Sequence, residues 1–173
     1  MLTAAALVVA TIALVSLPVV LAMRLEERRL GRALAAFAAA LDEARVIATP
    51  GPGTWRLARV EGHHRGCRVR LVPVTVGGHR RRLAMRLAVH LPDLSGEGTL
   101  EVRQGDLATS GTLAPAGDPS VLRAALSAVG AVVTVAGREA STTVAPPRSP
   151  AAGQQLAALA AALATCGTRP FPR

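Results

Sequence analysis

An α+β fold is predicted by three features of the sequence. Apolar residues recur at helical period near both ends of the chain, a period of two runs through its middle, and short glycine- and proline-rich breaks separate these stretches. Strands joined by short turns, with helices before and after them, give antiparallel strands backed by helices. The expected architecture is an N-terminal transmembrane helix running into a second helix, then a short-stranded antiparallel sheet backed by two or three helices. The expected units are an anchor over residues 1–23, a juxtamembrane helix over 24–48 that packs on the domain, a single α+β domain over 54–166 and a loose tail over 167–173.

Met1 to Met23 carry no charged side chain, and the run meets Arg24 abruptly. At about 1.5 Å per residue it spans roughly 30 Å as a helix, the thickness of a bilayer core. A cleaved signal would open with basic residues and a shorter apolar stretch, so the run reads as an anchor, with Val20-Leu21-Ala22 as the alternative cleavage signature. Pro18 falls late enough to kink its last turns, and Ala6 and Ala10 give a small-residue spacing compatible with helix pairing. Arg24, Arg28, Arg29 and Arg32 follow the run. Because cationic residues beside a span stay on the cytoplasmic side, residues 24–173 are expected in the cytoplasm. The alternative is exposure on the external or periplasmic side.

Leu30, Leu34, Phe37 and Leu41 form one apolar stripe at helical spacing, predicting a helix to residue 48 with a flex at Gly31. Thr49-Pro-Gly-Pro-Gly53 stops it. The period then changes. Leu83, Met85, Leu87, Val89 and Leu91 alternate with Arg82, Ala84, Arg86, Ala88 and His90, and Cys67, Val69 and Leu71 alternate with Arg68 and Arg70. With a strand from Trp55 to Val60, a turn over Glu61–Gly66 and a strand from Thr99 to Arg103, these predict a four-stranded meander. A phase slip at Val72-Pro73-Val74 predicts a bulge or an edge position, and a further short strand is possible over 107–113. Asp118-Pro119 is a helix start, cap then first-turn proline, with Leu122, Leu126 and Val129 on one face. Residues 131–136 and 140–144 read as a hairpin turning at Gly137-Arg138. A final helix over 151–166 carries Leu156, Leu159 and Leu163.

Twenty basic residues against eleven acidic give a net charge of +9, and every basic residue is arginine. Without lysine there is no P-loop lysine, no Schiff base and no pyridoxal phosphate attachment. Cys67 and Cys166 are the only cysteines, expected as buried thiols in a reducing compartment. His63, His64 and Cys67, with His79 and His90, match no zinc-ligand spacing. Ser95-Gly-Glu-Gly98 and Ser110-Gly111 lack a nucleophile elbow's flanks. Asp93, Glu97, Glu101 and Asp106 read as rim carboxylates, three of them in turns. No catalytic residue, metal site or cofactor is expected.

The one constellation is a sheet face carrying Arg68, Arg70, Arg82, Arg86, His90 and Arg103, opposed mainly by Glu101. Such a face suits anionic lipid headgroups, each nearby arginine contributing about 1 kcal/mol. It also suits an acidic protein partner. Nucleic acid is disfavoured, because single-strand readers stack bases on aromatic side chains and only Trp55, Phe37 and Phe171 are present. The same face can also be plain solvated surface. The expectation is a membrane-anchored, non-enzymatic interaction or scaffold domain. The alternatives are an external accessory domain of an envelope complex and an enzyme of unrecognised type.

Overall fold

A computed structural model of the chain describes residues 2–50, 56–78, 81–92, 96–112 and 118–167. Within these, the side chains of residues 2–13, 49–50, 56 and 166–167 fall outside the description. Among the described residues the chain is α+β, with three helices and one eight-stranded antiparallel sheet. In chain order the elements are α1 (Leu2–Ala38), β1 (Asp42–Pro50), β2 (Arg56–His64), β3 (Cys67–Val76), β4 (Arg82–His90), β5 (Gly96–Arg103), β6 (Asp106–Gly111), α2 (Pro119–Val129), β7 (Val133–Gly137), β8 (Glu139–Val144) and α3 (Pro150–Gly167).

The helix α1 is one unbroken rod of 37 residues, roughly 55 Å at the usual rise. Its two ends live in different surroundings. Leu14, Val15, Leu17, Leu21 and Leu25 are exposed, Leu14 by 77% and Leu25 still by 52%, whereas Ala33, Leu34 and Phe37 are buried. Only the last three turns dock, on the stripe the sequence shows, with Leu30 and Leu41 half-buried beside it. Gly31 does not interrupt the rod. Among the described residues no helix is long and apolar enough to cross a membrane. From Leu14 the apolar side chains run only as far as Met23 before Arg24 ends the stretch, and the expected span over 1–23 lies largely outside the described side chains.

The helix over 24–48 needs correcting. It ends at Ala38, closed by Ala40 N–H donating to Phe37 O at 3.2 Å and Leu41 N–H to Ala38 O at 3.0 Å. Residues Asp42–Pro50 form the edge strand β1 instead. Glu43, at φ 51°, sits in a register shift against β2 between Asp42 and Arg45, and Val46, Ile47 and Thr49 favour extended backbone.

The strands run in the order β1-β2-β3-β4-β8-β7-β5-β6. The meander is therefore β1 to β4. The predicted fourth partner, Thr99–Arg103, lies in β5, and the β7–β8 hairpin is inserted between β4 and β5. The turn expected over Glu61–Gly66 is tighter: β2 continues to His64, and Arg65 (φ 50°) with Gly66 (φ 80°) closes a two-residue hairpin, the backbone signature of a type I′ turn. Val69–Val76 pairs with β4 without a shift, so there is no bulge at Pro73. The pairing of β3 with β2 ends at Leu71, leaving Pro73 where its missing N–H costs no ladder bond.

Helices cover one sheet face. Val60, Cys67, Val69, Leu71, Met85 and Leu87 point into a core closed by Leu122 and Leu126 of α2 and by Leu156, Leu159 and Leu163 of α3. Asp118 caps α2, accepting from Ser120 N–H at 2.8 Å. Hydrogen bonds from Ser120, first its side chain and then its backbone, hold the Asp118 carboxyl below the usual carboxylate range. α3 crosses α1 at Gly153, where a Cβ would drive into the carbonyl of Ala33. Glycine alone permits helices that close.

Candidate functional site

Among the described residues no helix crosses the second sheet face. Cross-strand pairing fixes what it displays. Val60 faces Leu71 on the buried side, so Glu61 and Arg70 share the open side; Arg86 lies opposite Val72 and Thr143, and Arg70 opposite Ala88. Arg68, Arg70, Arg82 and Arg86 thus all lie on the open face of β3 and β4; Arg68, Arg70 and Arg86 group together, and Arg82, opposite Val76, stands four residues from Arg86, about 13 Å along the strand. Ala88 is only 6% exposed on this open side, as expected where arginine stems lie along the sheet with their charged ends in water.

Two carboxylates that the sequence pattern does not mark as counter-charges organise this patch. Glu139 on β8 binds Arg70 at 3.0 Å and Arg86 at 3.2 Å, tying β3, β4 and β8 together across the sheet. Arg86 also donates to Ser141 Oγ at 3.3 Å. Glu61 on β2 binds Arg68 at 3.3 Å and Arg59 at 3.4 Å. Arg45 on β1 stands directly across from Glu61. The sequence signal for Glu139 was its place in the hairpin, but only the insertion of that hairpin beside β4 sets it among the arginines.

Arg103 does not belong to the patch. It pairs with Glu101 on its own strand, and β8 and β7 stand between β5 and β4, about 14 Å at the usual strand spacing. Glu101 consequently opposes only Arg103. The open face is polarised. Around β1–β4 and β8 it carries Arg45, Arg59, Arg68, Arg70, Arg82 and Arg86 against Asp42, Glu43, Glu61 and Glu139, while β5 and β6 carry Glu97, Glu101 and Asp106 against Arg103.

The remaining sequence candidates scatter. His63 ends up on β2, 3.8 Å from Glu43, at the rim of a polar depression of about 380 Å³ lined by Glu43, Arg45, Glu61, His63 and Arg68. His90 faces Glu139 across the β4–β8 ladder. His79 and Asp93 lie outside the described residues. Glu101 lies in the strand expected for it, whereas Glu97 lies in β5 and Asp106 opens β6, where the sequence predicts turns. Among the described residues no three His, Cys, Asp or Glu side chains converge as a metal ion would need. Of the four arginines beyond the apolar run, Arg29 pairs with Glu26 at 3.3 Å, Arg32 donates to Arg28 O at 3.4 Å, and Arg24 is exposed. No family model, characterised protein or solved structure matches the chain.

Proposed function

We propose that this chain is a single-pass membrane-anchored interaction module whose open arginine face meets anionic lipid headgroups. The observation that carries the reading is the environment of α1. Its last three turns are locked into the core, while Leu14 to Leu25 expose apolar side chains on every side of the helix. A surface helix normally keeps such residues to one stripe. A helix apolar all round needs an apolar solvent, and the uncharged run continues to the first residue of the sequence. The bilayer supplies that solvent.

An anchor entering at Arg24 keeps the domain within reach of the headgroups. The arginine patch exceeds its carboxylates by two charges (six arginines against Asp42 and three glutamates), and a cytoplasmic leaflet rich in anionic lipid attracts it. Arg24, Arg28, Arg29 and Arg32 favour the cytoplasmic side. The second reading, an external accessory domain, keeps the same anchor and exchanges the lipid surface for an acidic protein partner.

Sedimentation with vesicles tests the patch. A chain lacking residues 1–23 keeps every buried residue of the core. It is expected to sediment with vesicles containing phosphatidylserine and not with neutral ones, and to release as salt rises, since exposed charges are screened over about 8–10 Å. Arg68, Arg70, Arg82 and Arg86 changed together to glutamine should abolish sedimentation at unchanged melting temperature. Equal binding by this variant removes the lipid reading, and retention of RNA or DNA by the unmutated domain with no vesicle binding would replace it.

A further inference from the structure

We infer that an apolar groove between the end of α2 and the start of α3 takes up an acyl chain of a bilayer phospholipid, with the lipid phosphate resting on Arg148. The inference rests on the bilayer seating of α1 and does not depend on the arginine face of the sheet. The groove holds about 270 Å³, and its apolar walls include Val129, Val144, Pro146, Pro147 and Leu156. It exists because three elements end together. α2 stops at Val129, where Gly130 takes the left-handed cap at φ 63°. β8 stops at Val144, and Pro146-Pro147 keep the following link out of a helix. Ser149 then opens α3, its Oγ accepting from Ala152 N–H at 3.2 Å. Ala128, Ala145 and Ala152 also line the groove, and their side chains are too short to fill it.

The place of the groove in the molecule points to the bilayer. α3 packs against both α1 and α2, and it meets α1 at two levels. Arg148, just before α3, reaches Glu26 at 3.9 Å, and Gly153 lies against Ala33. Both contacts advance along the chain in the same sense, so the two helices run side by side in one direction. The start of α3 therefore faces the end from which α1 leaves the domain. Glu26 stands two residues past Arg24, where the uncharged run stops, about 3 Å along the helix axis. The headgroup layer is roughly 5–7 Å thick on each side of the hydrocarbon core. An α1 seated in the bilayer up to Arg24 thus holds Arg148 and the groove beside it at the level of the headgroups.

Size and charge select the occupant. Ligand pockets usually hold about 300–1,000 Å³ and carry several placed polar groups. This groove is smaller, and Arg148 and Gln155 are the polar side chains on its walls, so it suits an unbranched apolar chain better than a compact metabolite. The Arg148 side chain is 78% exposed and shares Glu26 with Arg29, which holds that carboxylate more closely, at 3.3 Å. Two arginines against one glutamate leave one net positive charge here, and a guanidinium fits phosphate oxygens in pairs. Val132, 50% exposed, adds apolar surface at the same end of the sheet. Thr142 Oγ1 on β8 donates to its carbonyl at 2.7 Å.

The full-length chain is reconstituted into phosphatidylcholine–phosphatidylglycerol vesicles that contain a phospholipid with a diazirine on its acyl chain. After irradiation and digestion, mass spectrometry locates the labelled residues. Label is expected on α1 before Arg24 and, separately, within residues 128–129 and 144–156, with none on the exposed Val121 at the other end of α2. Ala128→Trp, which plugs the groove from an exposed position, should lose the groove label while keeping the α1 label and the melting temperature. Ala145→Trp plugs it from the other wall and supplies the comparison should the first variant fold poorly. Label on α1 with none in the groove overturns the inference and leaves the anchor standing, as does groove label that both tryptophans leave unchanged. Absence of label on α1 removes the bilayer seating, and the inference with it.

Discussion

Leu87 and Arg86 are neighbours in β4 with opposite fates. Leu87 is fully buried between Leu71 and Thr142, and Arg86 is half-exposed beside Glu139. Leu87→Asp places an unpaired carboxylate in the core and should cost several kcal/mol or prevent folding. Arg86→Gln removes a partly exposed ion pair, a change of about 0–1 kcal/mol. Thermal melts of the two variants check the contrast. Glu139→Gln tests the patch in the other direction. It frees Arg70 and Arg86 of their shared counter-charge, so binding to acidic vesicles should strengthen while the melting temperature hardly moves; weaker binding would mean the glutamate helps form the contact. The cap at Asp118 gives a pH signature. Its folded carboxyl titrates lower than the unfolded one, so its stabilisation is complete above the ordinary value of 3.8 and is lost as pH falls through the folded value. Asp118→Asn should remove that part of the acid sensitivity, read as melting temperature against pH. At this scale the sequence was informative, since period two alone sorts Arg68, Arg70, Arg82 and Arg86 onto one side. It could not identify Glu61 and Glu139 as their partners, because pairing between strands is set by register and order, which a single chain does not display locally.

Two helical glycines separate local preference from packing. Gly31 has open space where a Cβ would stand, and Gly153 has the Ala33 carbonyl there. Gly31→Ala should stabilise by about 0.5–1 kcal/mol through backbone entropy. Gly153→Ala should destabilise by about 1–3 kcal/mol because α1 and α3 must separate; chemical denaturation of both variants measures the difference, and equal effects would deny the close crossing. The helices α2 and α3 and the β7–β8 hairpin were legible from caps, stripes and turn glycines, all of them local signals. The start of β1 was not, because the Leu30–Leu41 stripe runs on in helical phase while the commitment to a strand comes from pairing with β2. Nor was the place of β5. Consecutive strands are usually neighbours, and the later hairpin β7–β8 overrides that tendency by pairing with β4.

The whole molecule is a helix-covered sheet with a rod standing out of it. That shape divides the described chain into a part that buries its own apolar surface and a part, Leu14 to Leu25 of α1, that leaves it exposed. The arginines at the junction set the expected orientation, so changing Arg24, Arg28, Arg29 and Arg32 to glutamine should loosen or invert it. A reporter fused after Arg173 would show this as signal moving between the two sides. That the exposed apolar helix is seated in a bilayer is tested most directly by alkaline carbonate extraction of membranes from cells making the full-length chain. The chain should stay in the membrane pellet through carbonate and high salt, while a chain lacking residues 1–23 appears folded in the supernatant. Release of the intact full-length chain by carbonate would contradict the claim.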